Sequence, residues 1–364
     1  MTVKELTSCL EDFAPLSMQE SYDNAGLLIG DPNQHINSAL ITLDVTEEVI
    51  DEAIKHHHGL IIAHHPLIFK PLKKITGSNF TEKIVIKAIK HNIAIYAIHT
   101  NLDNMAKGVN AKLGEKLGLT NLRILAPGGS VLNKIVTFCP VEYADAVRQS
   151  MFDAGAGNVG NYDQCSYNTE GEGTFRAGEG TNPFVGNIGK LHIEKEIKIE
   201  TIVPSYKVGK VIKAMLSAHP YEEVAYDIFA LENSSVETGA GMIGELKQEM
   251  ALIDFLKKIK KTLNAQAIKY NTPINRTVKK VAFCGGSGSF LIPNAYAAGA
   301  DIFITSDIKY HDFFEHLHEM TIVDAGHYET EQFTKVLLYE IINEKFTNFA
   351  LQISEITTNP VSFL

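Results

Sequence analysis

Two hydrophobic periods alternate along the chain. The runs "ALITLDV" (39–45), "GLIIA" (59–63) and "IAIYAI" (93–98) are nearly continuous in apolar residues and predict strands covered on both faces. Between them the period lengthens to that of a helix: residues 1–13, ended by Pro15; "EEVIDEAIKHH" behind a capping Thr46; and "TEKIVIKAIKHN" (81–92). Strand–helix alternation of this kind predicts parallel βαβ units. After Leu119 the pattern changes, and the turn-rich "APGGS" (126–130) marks a boundary. A strand at 134–139 and a helix at 141–154, with Ala144, Val147 and Met151 on its apolar face, lead into a glycine-dense stretch. An alternating strand (196–204), a helix (205–219) and a strand (222–231) follow, so the order β-α-β-β-α-β predicts a ferredoxin-like unit. Beyond a polar linker (232–241) the spacing predicts a helix over 245–263, a strand at 279–284 and a glycine turn at 285–289. Helices at 290–300, 311–320 and about 328–344 then alternate with strands at 301–305 and 321–325. The expected fold class is α/β, an α/β body (1–129 and 236–364) interrupted by a central ferredoxin-like α+β insert (130–235).

A length of 364 residues suits two or three domains, with 45% hydrophobic and 21% charged residues. The formal net charge of −10 argues against nucleic acid or an anionic membrane as the main partner. It suits a protein that gathers carboxylates around cations. Cys9, Cys139, Cys165 and Cys284 are far apart with no CxxC pair, as expected of free thiols in a reducing compartment. The first residues, "MTVKELTSCLEDF", carry acids within their apolar pattern and lack a signal-peptide core, and no apolar run approaches the ~20 residues of a membrane span. The expected location is cytoplasmic.

In open α/β sheets, ligands gather at the carboxyl ends of strands. The polar residues there are His64 and His65 after "GLIIA", His99 and Asp103 in "HTNLD", Asp307 and His311 in "SDIKYH", and His327 and Glu331 in "GHYETE". His327 and Glu331, four apart at a helix start, can point the same way. Three histidines and two carboxylates converging on one sheet edge make a mixed N/O ligand set for Zn²⁺, Mn²⁺, Fe²⁺ or a similar divalent ion. Adjacent imidazoles can each serve a separate ion if a carboxylate bridges the two, which would lie ~3.5–4 Å apart. An isolated strand-end histidine is more often a satisfied hydrogen-bonding group than a ligand. However, burying this many titratable groups without a cation would be costly. His56, His57, His58, His91, His316 and His318 read as solvated helix-face residues. "CGGSGS" (284–289) could cradle a phosphate on its amides, though a tight βα turn is favoured. "HPYEE" (219–223) reads as a turn around Pro220 rather than a metal site.

"IIAHHPLIF", "AIHTNLDN", "FITSDIKYHDF" and "DAGHYETE" resemble the signature segments of the GTP cyclohydrolase 1 type 2 homologue family, the Nif-three-like dinuclear metal proteins. "YDNAGLLIG" (22–30) resembles the family's N-terminal segment, with Tyr22 where tryptophan is more usual. "AGAGNVGNYDQCSY", "GTFRAGEGTNPFVG" and "AHPYEEVAYDI" resemble the extra domain of the longer bacterial members. The resemblance implies two divalent metal ions per chain, with His64, His65, Asp103, His327 and Glu331 as ligands and Glu331 and Asp103 shared between or adjacent to the ions. It also implies a toroidal homohexamer with the metal sites facing an internal cavity. His99 and Asp307 are candidates for catalytic support around the ligands, where such groups fix tautomers and tune a bound water. Strand-end hydrogen bonding is the equal alternative for both. Tyr310 and His311 could line the substrate side or cap a helix. The expected function is a metal-dependent hydrolase acting on a nucleotide-like or phosphorylated substrate. A metallochaperone or metal carrier without turnover is the alternative, and a scaffold stiffened by metal ranks last.

Overall fold

The computed structural model describes residues 1–128, 132–233, 237–271 and 277–364. Residues 129–130 of the expected boundary and 234–236 of the expected linker lie outside the described residues. The chain divides into two units, residues 1–126 with 237–364, and residues 127–236.

Among the described residues, the first unit contains two sheets. One has the order Gly26–Ile29, Ala94–Ala97, Leu60–Ala63, Ser38–Thr42, Ala350–Ile353. Its members run parallel except Gly26–Ile29, which lies antiparallel to Ala94–Ala97. Alternate residues of the same strands supply two apolar layers, as the pleat requires. Ile41, Leu60 and Ile62 meet Val3, Leu6 and Leu10 of the helix Val3–Phe13 on one face. On the other, Leu40, Ile61 and Ile95 meet Val49 and Ile50 of Glu47–Lys55 and Ile84 and Val85 of Phe80–Lys90. Side-chain caps fix where these helices start: Thr2 makes a capping box with Glu5, Thr46 accepts from Val49 N, and Asn79 from Glu82 N.

The second sheet has the order Lys269–Tyr270, Thr321–Asp324, Ile302–Ser306, Thr277–Ser287, Gly239–Ala251, Leu119–Pro127. Four local expectations are corrected here. The helix expected over 245–263 begins only at Leu252 and runs to Thr262, because Gly239–Ala251 is a strand. Within the misassigned part, Glu245, Met250 and Ala251 pair antiparallel with Lys280, Val278 and Thr277, and this ladder overrides the segment's helical propensity although Lys247, Gln248 and Glu249 stay exposed. The expected glycine turn at 285–289 is in its first three residues a continuation of the strand Thr277–Ser287. No regular α-helix spans 311–320. A short 3₁₀ segment, Tyr310–Phe314, is followed by turns, with His316 at φ +51° in the left-handed region and Phe314 mostly exposed. The long helix near 328–344 is two, His327–Glu331 and Thr334–Lys345.

The second unit is a four-stranded antiparallel sheet ordered Tyr167–Arg176, Leu191–Pro204, Leu132–Pro140, Tyr226–Leu231. Helices Ala144–Asp153 and Val208–Ala218 bury Val147, Met151, Val211 and Met215 against Ile135, Cys139, Ile199 and Val203. In "HPYEE" the His219 ring is consumed by the turn: Nε2 donates to Phe138 O at 2.9 Å and Nδ1 accepts from Tyr221 N at 3.1 Å.

Candidate metal centre

The first unit brings His64, His65, Asp103, His327 and Glu331 together at the carboxyl ends of its parallel strands. His64 and His65 continue the ladder just past Leu60–Ala63, with His64 N donating to Thr42 O and His65 N to Leu43 O. Their rings lie 4.9 Å apart at 43°. Asp103 closes the short helix Thr100–Asp103, one turn beyond the strand Ala94–Ala97. His327 and Glu331 begin and end the helix His327–Glu331. The acid therefore sits directly under the imidazole of its own helix, at 3.1 Å from Nε2 to Oε2.

All three histidines present Nε2 to a common centre and engage Nδ1 elsewhere. His64 Nδ1–H donates to Ile98 O at 2.8 Å, His65 Nδ1–H to Asp44 at 2.7 Å, and His327 Nδ1–H to Asp307 at 2.7 Å. An acceptor on the far nitrogen fixes the ring and leaves the near one free to donate a lone pair, as around bound metals. Glu331 spans the centre. Its Oε2 lies 2.9 Å from His65 Nε2, while its Oε1 lies 3.9 Å from His64 Nε2. Among the described residues, three triads have ligand atoms within 4.8 Å of one another: His64, His65 and His99; His65, His327 and Glu331; His64, Asp103 and Glu331. The last two share Glu331.

His64 decides whether this geometry suits a cation. The residue is fully buried, and its Nε2 has no hydrogen-bond partner. With Nδ1–H given to a carbonyl, that Nε2 is a lone pair directed toward Asp103 Oδ1 at 3.6 Å and Glu331 Oε1 at 3.9 Å. A buried acceptor facing two carboxylates is costly as it stands. A divalent ion between them would satisfy all three, so the donor set fits.

Protons take the place of the cation in the electrostatics of the chain alone. Burial opposes charge on His65, but its bonds to Asp44 and Glu331 outweigh that and raise its pKa to about 10. For His327 burial is likewise overcome, by Glu331 first and Asp307 second, and the pKa rises to about 9. Burial would raise Glu331, yet its contacts with His327 and His65, with the His64 imidazole close by, hold it well below the usual carboxylate range. Burial and the nearby Glu331 charge raise Asp103 to about 7.

His99 stands edge-on to both His64 and His65, with centroids 5.3 and 5.4 Å away. Its Nδ1–H donates to Asp23 at 2.8 Å, and Asp23 is itself held by the Thr100 amide and hydroxyl. Burial alone would raise Asp23, but its bonds from His99 and Thr100 depress it strongly. Asp307 is the His327 partner already described.

Sequence reasoning missed Asp23, Asp44 and Gly286. Asp44 follows the carboxyl end of Ser38–Thr42, so the strand-end rule applied to every parallel strand finds it. Gly286 has φ +63°, and a Cβ there would collide with Glu331 Oε1. The amides of Gly285 and Gly286 donate to Asn110 Oδ1 and Thr330 Oγ1, so neither is free for a phosphate. Tyr310 and His311 are not among the residues lining the cavity that opens onto the cluster. His58, expected to be solvated, is buried and bonded to Ser38 Oγ and Gln352 Oε1, and His316 stacks on Tyr296 at 3.7 Å.

Fold and site together define an α/β protein with a candidate histidine–carboxylate metal cluster. The chain belongs to the Duf34/NIF3 (NGG1p interacting factor 3) family, whose model matches residues 1–360. It is 41% identical to the GTP cyclohydrolase 1 type 2 homolog of Halalkalibacterium halodurans, over 97% of this chain and 96% of that one. To the Bacillus subtilis protein of the same description it is 38% identical, over 99% and 98%. The crystal structure of a Bacillus cereus protein related to NIF3 superposes with a TM-score of 0.88 at 41% identity, covering 100% of this chain and 99% of that one. No helix among the described residues is long and apolar enough to cross a membrane.

Proposed function

We propose that the cluster holds two divalent ions and that the protein hydrolyses a nucleotide-like or phosphorylated substrate. His65, His327 and Glu331 would hold one ion, and His64, Asp103 and Glu331 the other. The observation that carries this reading is the buried, unpartnered Nε2 of His64 facing two carboxylates. Bound ions would act as Lewis acids, lowering the pKa of water and stabilising charge on an attacked phosphorus or carbon. The chain's own residues supply the rest. Asp44 and Asp307 fix the tautomers of His65 and His327. Asp23 holds His99 by Nδ1, so that its Nε2 can pass a proton to or from a substrate at the cluster. A cytoplasmic toroidal homohexamer, with these sites facing its cavity, is part of the same proposal and rests on the family resemblance.

Metal carriage is the second reading, favoured by the exposure of His327, 40% of whose side chain meets solvent. Elemental analysis of protein purified without added metal, before and after dialysis against a strong chelator, separates the two. The hydrolase reading expects about two firmly held ions per chain, their loss in Glu331→Ala, and turnover within a nucleotide and phosphoester panel. A loaded wild type that is inert across the panel and surrenders its metal readily would replace it with carriage.

A further inference from the structure

The cavity over the cluster, about 590 Å³, falls within the size range of small-molecule sites. Its polar lining is His65, His99 and His327 with charged groups, Lys269, Asp324 and Glu329 among them. Its apolar lining is assembled from three parts of the chain: Pro66 and Phe69 beyond the strand Leu60–Ala63, Tyr328 on the helix His327–Glu331, and Pro360, Val361 and Phe363. Phe69 stands 6.5 Å from the His99 ring. Phe69, Val361 and Phe363 keep 44%, 55% and 48% of their surface exposed, and so hold apolar area in water at the cavity.

The segment that follows Ala350–Ile353 is fastened to the site. Ser354 Oγ and Glu355 N donate to Glu52, Thr358 Oγ1 donates to Asp44 Oδ2 at 2.7 Å, and Asn359 Nδ2 donates to Glu329 Oε1 at 3.0 Å. Asp44 is also the acceptor for His65 Nδ1–H, so one carboxylate ties this wall to an imidazole of the cluster. Val361 N then donates back to Asn359 Oδ1, turning the following residues along the cavity.

We propose that residues 358–363 form a selecting wall, and that Phe363 and Phe69 flank a slot for a flat heteroaromatic ring. The substrate class is then a phosphorylated compound carrying such a ring, its phosphate at the cluster and its ring in the slot. This rests on the reading of the cluster as a site for phosphorylated substrates. Stacking on aromatic side chains tolerates any ring with a π-face. The wall therefore selects for the presence of a ring rather than for its identity.

Calorimetric titration of the metal-loaded full chain with orthophosphate, adenosine and AMP tests the slot. AMP is expected to bind at least ~10-fold more tightly than orthophosphate, the range of one base stacked on an aromatic side chain. Phe363→Ala and, separately, Phe69→Ala should weaken AMP by roughly tenfold, leaving orthophosphate affinity and metal content unchanged. Equal binding of AMP and orthophosphate, or equal losses of both in the two variants, would overturn the slot and spare the phosphate reading. Adenosine bound without orthophosphate would spare the slot and overturn the phosphate reading. A loaded wild type that binds none of the three would overturn both.

Discussion

Metal uptake by this chain should be strongly coupled to proton release. In the metal-free protein both ring nitrogens of His65 face carboxylates, Asp44 and Glu331, and both of His327 face Asp307 and Glu331. Such a ring keeps both protons, which is why the pKa values rise to about 10 and about 9. An ion bound at Nε2 must displace one proton from each ring. Near pH 8, two protons should leave per chain as the cluster fills. The overall binding constant should then climb by ~100-fold per pH unit, a factor of about ten for each proton displaced. The slope should fall to about one proton above pH ~9 and vanish above ~10, as each imidazole loses its proton unaided. Calorimetric titration with Zn²⁺ or Mn²⁺ in two buffers of different ionisation enthalpy counts the protons directly, and chelator competition at two pH values gives the slope. Asp44→Asn removes one of the two anions that raise His65 and should lower the count near pH 8 toward one. Saturable uptake with no proton release would refute the reasoning, since the ions would then be held by something other than these imidazoles.

Two further outcomes follow from the same geometry. Gly286→Ala places a Cβ against Glu331 Oε1 at a left-handed φ, costing about 1 kcal/mol in the backbone and displacing the shared carboxylate. Chelator competition should show metal affinity falling at least ~10-fold, whereas Gly178→Ala, whose Cβ would meet nothing within 4 Å, should leave it unchanged. The metal-free protein should also lose stability in alkali. His65 and His327 have folded-state pKa values above the ordinary imidazole value, so their ion pairs stabilise fully below pH ~6.5 and fade as pH rises through about 9 to 10. Chelated protein should therefore melt lower at pH ~10 than at pH ~8, and an unchanged melting temperature would contradict the assignment of charge.

The residues that gather at the cluster were legible because parallel strands present polar residues at their carboxyl ends, although these strands belong to two sheets and not, as expected, to one sheet edge. Leu60–Ala63, Ala94–Ala97, Ile302–Ser306 and Thr321–Asp324 are buried along their length, so each stands out as an apolar run that stops at a polar residue. The partners behind the imidazoles were harder to read. Asp23 lies in a loop with no periodic signal, and Asp44 looks like one more acid before a capped helix. Gly286 resembles a turn glycine until Glu331 is seen beside it. The misread elements share a cause. Gly239–Ala251 carries a charged, helix-favouring tail, and its place in the sheet between Thr277–Ser287 and Leu119–Pro127 makes it a strand. Residues 311–320 have aromatic and histidine residues at helical spacing, but the left-handed φ at His316 ends any helix there.

The placement of the cluster's residues in the chain has a consequence for synthesis. His65 and Glu331 meet in space but are separated by 266 residues, among them the whole of the unit spanning 127–236. The first sheet likewise waits for Ala350–Ile353, the strand that lies beside Ser38–Thr42. At ordinary translation rates the paired imidazoles are made tens of seconds before the carboxylate that answers both of them. The early strands and His64 must pass that interval without their partners, while the unit spanning 127–236 already has all of its own strands. A chain cut short anywhere before Glu331 lacks the shared carboxylate of the cluster, so a filled cluster would certify that synthesis had passed that residue.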